Sequence, residues 1–439
     1  TKGFMAYVDD VKIGRLTPLR LLRKFAEAGS ENKFWSSYDS FGEFQLRFAK
    51  DKHGQEPYAG LESYGPYDLE RNRRLDEVFV TIFNFSPRIS GENVQTFYKD
   101  LVEGVPRRPG FVGMNRLFKI NIRRFVEDVI QKDIKSSLTR LRRTPHIAII
   151  ITQLSGEKNV RQYRPFKQEL TLEGIPCQFV LDRNIGPNAS LSKYSGYLKN
   201  LALCIYAKLG GVPWILDHSL GDGKCFLGLA AIFRKKRVYM SLQTFDHFGQ
   251  WLGGWTEQTD IRDYSQVLER RFKEALKLYE GLYGRPANVI VHKDGELLHD
   301  LEMPVLNKVT EIDSKIVSVK KLGFQRMYDT SIEDYRVNRG TYLQVSSNEA
   351  MLVTSGPPHH FQGAQKPLTI DIKNPSNPDP ILIKEICKEI FQLSLVYGGY
   401  TLAITSKPIT THFASTAASL AANYEIKENP HLWKKAWFL

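Results

Sequence analysis

Tyr163 and Lys167 lie four residues apart, a spacing that puts both side chains on one face of a helix. Gln178 follows in the strand-like run Ile175-Pro176-Cys177-Gln178-Phe179, and Lys208 stands immediately before Leu209-Gly210-Gly211. Two ammonium groups neutralise a phosphate, while a phenol and an amide donate directional hydrogen bonds to its oxygens. The Tyr163 ring can also stack on a nucleobase. Taken singly, each of the four reads as an ordinary surface residue, so the chemistry depends on their meeting in space.

Other candidates fail on spacing. Gly221-Asp222-Gly223-Lys224 resembles a phosphate loop, but His218 and Cys225 stand where a Walker loop needs Gly and Ser or Thr. Phe226 occupies the third glycine position of a dinucleotide fingerprint, so the segment reads as a turn. His359-His360 has no helix and no nearby acidic or Cys ligands, which leaves a metal site there unsupported. Cys177, Cys204, Cys225 and Cys387 never form a C-x-x-C pair, so neither a disulfide scaffold nor a zinc ribbon is expected.

The elements that must position the four residues can be read from patterning. His146–Thr152 is a short β-branched run after Pro145 and reads as a buried strand; 163–172 reads as a helix stopped by Gly174. Residues 175–181 form a second strand, and a long helix from about Ser190 ends at Gly210-Gly211. Strand, helix, strand, helix is a small doubly wound α/β unit, with its boundary near Pro213. Strands at 225–233 and 237–245 follow, then a helix stopped by Gly284, a strand at 287–295, and helices near 381–395 and 411–424. Antiparallel strands, a helix, then a parallel-type strand is the order of a ribonuclease H-like fold.

Length and charge fit this reading. A chain of 439 residues exceeds one ordinary core and implies two or three domains. Lys and Arg number 61 against 48 Asp and Glu, a net +13 that suggests a polyanionic partner such as nucleic acid. Basic clusters occur at Arg71, Arg73 and Arg74, at Arg107 and Arg108, at Arg123 and Arg124, and along a helical stretch at 131–143. Each reads either as a solvated face or as a phosphate contact. The longest apolar run, near Ile147–Ile151, falls far short of the ~20 residues a membrane helix needs. No signal-peptide pattern is visible, and a reducing cytoplasm fits the cysteines.

Together, Y-x-x-x-K at 163–167, Gln178 in Pro176-Cys177-Gln178-Phe179, and K-L-G-G-x-P-W at 208–214 resemble the MID domain of Argonaute proteins. The resemblance implies that Tyr163, Lys167, Gln178 and Lys208 hold the 5′-phosphate of a guide strand. Gly65-Pro66-Tyr67-Asp68 is similar to a segment preceding the MID domain in short prokaryotic Argonautes. Ala436-Trp437-Phe438-Leu439 resembles the apolar C-terminus that folds back into the phosphate pocket, where the terminal carboxylate, here that of Leu439, holds a divalent cation such as Mg²⁺. Cys204 stands where relatives place Lys or a polar ligand.

The same resemblance makes the ribonuclease H-like part a PIWI domain and tests it for catalysis. Slicing relatives hold two metals with carboxylates. The first Asp position is Ala230, after Phe226-Leu227-Gly228-Leu229; the third acid matches Asp294, and the fourth falls at Ser415, with His412 as a competitor. Glu257 is the available glutamate-finger candidate. Without the first Asp the metals lose a bridging ligand, and cleavage is expected to be absent. The expected fold is α/β, with a mixed α+β N-terminal region at 1–145, a Rossmann-like MID domain at 146–212 and a ribonuclease H-like PIWI domain at 213–439.

The resemblance to a short prokaryotic Argonaute lacking a PAZ domain implies guide-directed recognition in prokaryotic defence, with a guide RNA and a target DNA. A recogniser that does not cut needs an effector, here an APAZ-containing protein. A sirtuin-like, NAD-degrading partner is favoured over TIR, with a nuclease as a third form. The alternatives are an active guide-dependent endonuclease and a stand-alone nucleic-acid-binding regulator.

Overall fold

From Val80 onward the strand Glu77–Asn84 (β1) is buried on both faces, as its run Val80-Thr81-Ile82-Phe83 requires. Ser90 and Asn93 form a capping box that starts the helix Gly91–Glu103 (α1), which buries Val94, Phe97 and Leu101. Strands Asn121–Phe125 (β2) and Ile147–Thr152 (β3) follow, then helix Lys158–Leu172 (α2), strand Cys177–Leu181 (β4) and helix Leu191–Lys208 (α3). This computed structural model describes residues 4–8, 39–42, 44–69, 77–105, 110–125, 144–153, 158–185, 191–309, 313–321, 325–329, 337–355, 366–402, 404–424 and 429–439.

The four strands form one parallel sheet in the order β2-β1-β3-β4. Two of these strands, β1 and β2, precede residue 146, where the sequence reading opened its α/β unit. A strand apolar on both faces must sit inside a sheet, and β1 lies between β2 and β3. The basic clusters at 71–74, 107–108 and 131–143 and the His359-His360 pair lie outside the described residues. Arg123 is described, and its exposed guanidinium pairs with Glu77 at 2.7 Å, a solvated face.

The second sheet is built on strands Lys224–Arg234 (β5), Arg237–Phe245 (β6) and Trp251–Asp260 (β7), helix Tyr264–Tyr283 (α4), and strands Asn288–Asp294 (β8) and Asp313–Lys320 (β9). Beyond them lie strands Thr341–Gln344 (β10), Glu349–Leu352 (β11) and Leu368–Asn374 (β12), then helices Pro380–Leu393 (α5) and Ile409–Tyr424 (α6). Among the described residues the order is β7-β6-β5-β8-β9-β12-β11-β10, with Asp39–Ser40 at the edge. β5, β6 and β7 are antiparallel neighbours, while β5 and β8, and β8 and β9, run parallel. That is the ribonuclease H-like order expected.

β7 was not foreseen, because Gly253 and Gly254 interrupt its apolar alternation. Gly228 has a positional reason: a Cβ there would stand 2.1 Å from the Thr410 carbonyl oxygen, so only glycine lets α6 lie against β5. One apolar core runs from Ile149 and Leu203 through Phe226 to Trp437, joining the two sheets. No helix among the described residues is long and apolar enough to cross a membrane.

Candidate nucleic-acid interface

Lys167 on α2 and Lys208 at the end of α3 are almost fully buried, at 1% and 2% exposure. Both point toward the start of β4. Lys208 Nζ donates to the Cys177 carbonyl oxygen at 2.9 Å and to Gln178 Oε1. Lys167 Nζ donates to the Trp437 carbonyl oxygen at 2.6 Å, lies 5.4 Å from the Trp437 ring centre, and faces the Cys177 sulfur. Gln178 is half-buried and donates its own amide to the Phe179 carbonyl oxygen at 3.1 Å. The structure therefore brings Lys167, Gln178 and Lys208 together; Tyr163 is on α2, and its side chain lies outside the described residues.

Neither ammonium meets a carboxylate among the described residues. Burial holds the Lys167 ammonium below its ordinary pKa. Burial and the neighbouring Lys167 charge push Lys208 down to about 7. Lys208 has one donor left beyond its two bonds, and Lys167 one beyond Trp437 and the Cys177 sulfur. By donor chemistry this is a place for an anion.

For a cation, the side chains here offer little. Cys204 donates its thiol to the Gly399 carbonyl oxygen at 3.1 Å, and burial pushes that thiol up, keeping it protonated. Among the described residues no group of three or more His, Cys, Asp or Glu side chains could hold a metal ion. Mg²⁺ therefore finds no side-chain ligand set at these lysines. Leu439 packs against the main core and lines a cavity of about 730 Å³ with Tyr67, His146, Gly210, Trp251 and Lys435.

Two flanking segments fix the lysines. Asp68 of the Gly65–Asp68 motif accepts the Tyr206 hydroxyl at Oδ1, 2.5 Å, and the Val212 N–H at Oδ2, 2.9 Å. Tyr67 N–H also donates to the Pro213 carbonyl oxygen at 3.0 Å, so this motif clamps the turn that follows Lys208. At the other side the segment 429–439 bridges both sheets. Trp433 stacks on Trp255 of β7 at 5.9 Å, its carbonyl accepts from Gly254 N–H at 2.9 Å, and Trp437 reaches Lys167.

In the second sheet, Ala230 on β5 is buried against Ala414 and Ala418 of α6. Leu229 pairs with Lys293, so Ala230, within β5, and Asp294, at the end of β8, stand next in line on adjacent parallel strands. Asp294 Oδ1 is held by Lys407 Nζ at 2.5 Å. Ser415 Oγ donates to the His412 carbonyl oxygen at 3.3 Å. His412 packs edge-on against Tyr397 at 5.1 Å, and burial with the nearby Lys407 charge pushes its imidazole down to about 4. Glu257 is engaged by Arg270 and Arg271 of α4. Lys407 was missed by the sequence reading; its only local signal is a basic residue in Ser406-Lys407-Pro408, just ahead of α6.

No family model matches the sequence, and no curated protein does. Solved structures do match. Clostridium butyricum Argonaute bound to a guide DNA and a 19-mer target DNA is similar with a TM-score of 0.70 at 20% identity, over 88% of this chain and 53% of that one. Drosophila Piwi gives 0.69 at 15% identity, over 92% of this chain and 56% of that one. A. aeolicus Argonaute gives 0.64 at 19% identity, over 92% and 57%. The chain spans little more than half the length of these proteins, and it has an Argonaute-type MID–PIWI fold.

Proposed function

We propose that this chain anchors the phosphorylated 5′ end of a guide strand at Lys167 and Lys208 and presents the guide for pairing with a target that it does not cut. The observation that carries this reading is the pair of buried ammonium groups with no carboxylate between them. Removing such charges from water costs several kcal/mol each, and a fold keeps that arrangement where an incoming anion offsets it. A terminal phosphate dianion restores charge to Lys208 and occupies the remaining donors, with the Gln178 amide at its edge. The net charge of +13 supports an extended nucleic-acid backbone along the rest of the surface.

The absence of cutting is supported by the chemistry of the degenerate positions. Ala230 supplies no oxygen ligand, Ser415 bonds its own helix, and Asp294 is held by Lys407. Mg²⁺ enters only through the resemblance, and no step of this recognition passes through it. The guide as RNA, the target as DNA, a cytoplasmic role in prokaryotic defence and an APAZ-containing effector follow from the same resemblance. Within it, a sirtuin-like NAD-degrading partner stands ahead of TIR and nuclease forms; the need for any effector comes from a recogniser that leaves its target intact.

The test is co-purification followed by sequencing of the bound nucleic acid and mass identification of bound protein. A cleavage assay with labelled target and Mn²⁺ accompanies it. Short 5′-phosphorylated guides and an associated effector are expected, with intact target. Measurable slicing would replace this reading with an active endonuclease, and recovery of nucleic acid with no effector would favour a stand-alone regulator.

A further inference from the structure

The carboxyl ends of β8 and β9 carry a cluster of lysines where a two-metal site would need carboxylates. Lys407 and Asp294 form their ion pair only partly exposed, at 23% and 20% of their side chains. Asp294 pairs in register with Val319, so Lys320 and Lys321 follow directly at the same edge. Lys320 pairs with Thr369 across to β12, which brings Lys366 to that edge as well. Lys320 is already neutralised, since it pairs with Glu296 and with Asp371, the latter shared with Lys373. Lys321 and Lys366 meet no carboxylate among the described residues, and Lys321 lies within electrostatic range of both Lys366 and Lys407. Three ammonium groups against one carboxylate leave a local charge of 3 − 1 = +2. His412 beside them is neutral at ordinary pH.

We propose that Lys407, with Lys321 and Lys366, forms a phosphodiester site for the target strand, in which the Lys407 ammonium bridges Asp294 and a backbone phosphate. This rests on the guide–target reading above. An ammonium is a compact point charge that attracts phosphate oxygens but cannot bind and acidify a water as a divalent metal does. The same spot that would cut with two metals therefore grips without cutting. The target, rather than the guide, is the occupant because the reading above already places the guide's end at Lys167 and Lys208 on the other sheet, leaving this second cationic site for the paired strand.

The test uses the full chain loaded with a 5′-phosphorylated guide, in EDTA, against targets in which one uncharged methylphosphonate linkage is walked along the strand. One position is expected to weaken binding by roughly tenfold, and Lys407→Ala to weaken unmodified target similarly while erasing that position's effect. Guide affinity should not change, Lys407→Arg should retain the parent profile, and Asp294→Asn, which frees the Lys407 charge, should tighten target binding. The log–log salt slope for target should fall by about 0.9 per lost contact on duplex DNA. An unchanged methylphosphonate profile in Lys407→Ala, or target affinity within about twofold of the parent, overturns this site alone. If the unmodified chain binds guide but no target, the site and the function proposed above fall together.

Discussion

Lys167 and Trp437, 270 positions apart, are joined by a 2.6 Å hydrogen bond from the ammonium to the tryptophan carbonyl. The bond ties the α2 helix of the smaller sheet to a segment that is itself bonded to the edge of the larger one. A phosphate bound at Lys167 would share its donor set with that carbonyl, so the proposed guide anchoring would be coupled to the placement of 429–439.

On the proposed reading, replacing both Lys167 and Lys208 with Ala removes two charges from one terminal-phosphate site. Each should supply roughly 1.5–3 kcal/mol through charge-assisted hydrogen bonds. Affinity for a 5′-phosphorylated guide should drop by a factor on the order of 10² or more, with a much smaller effect on a 5′-hydroxyl guide. Fluorescence anisotropy on both guides decides the matter. Equal loss for the two would mean that the lysines act as general basic charge and not as a terminal-phosphate pocket.

The same pocket should show opposite pH trends with and without guide. Lys208 titrates near 7 in the folded chain and near 10.5 when unfolded. Between those values the unfolded chain binds more protons, so the stability of the free protein rises with pH, by at most roughly 1.4 kcal/mol per unit. Binding a phosphate requires the proton back, so guide affinity falls as pH climbs above 7. Urea midpoints and guide titrations at three pH values test both trends, and Lys208→Met should flatten each. A free-protein stability that stays flat over this window would show that Lys208 keeps its charge without a ligand.

Much of the fold was legible because its elements are locally specified. The β5–β6 hairpin has long apolar runs around a basic turn, and α3 ends at paired glycines, so both could be read within a residue or so. The place of β1 was not, because membership of a sheet depends on partners at Asn121–Phe125 and Ile147–Thr152 rather than on the strand itself. At the site, residue types and spacing singled out Lys167, Gln178 and Lys208, but not that both lysines are buried. Lys407 was invisible for a related reason: its partner, Asp294, lies 113 positions away.

Ala230→Asp should not create cleavage. The new carboxylate would lie against Ala414 and Ala418, in a space packed for a methyl group, with Ser415 still at the fourth ligand position. Two-metal catalysis is strongly non-additive in its ligands. Burying an unpaired carboxylate there should cost about 2–4 kcal/mol, visible as a lowered thermal midpoint. Target cleavage by this variant in Mn²⁺ would show that Asp294 can be freed from Lys407 and that these two acids suffice.

Asp68 offers the sharpest separation of scaffold from ligand contact. Its two carboxylate oxygens hold the Tyr206 hydroxyl and the Val212 N–H, on either side of Lys208, yet it touches neither lysine. Asp68→Ala leaves both donors unsatisfied, and the Tyr206 hydroxyl sits on a side chain only 2% exposed. Stability should fall by roughly 2–4 kcal/mol, with about 1 kcal/mol for Tyr206→Phe, which removes one donor and leaves the other bond intact. The loosened turn also lets Lys208 stray from Cys177 and Gln178, so preference for a phosphorylated over an unphosphorylated guide should shrink in Asp68→Ala and persist in Tyr206→Phe. Chemical denaturation and paired guide titrations measure the two effects independently. An Asp68→Ala protein that is destabilised but keeps its full phosphate preference would show that the turn holds the fold together without aiming Lys208.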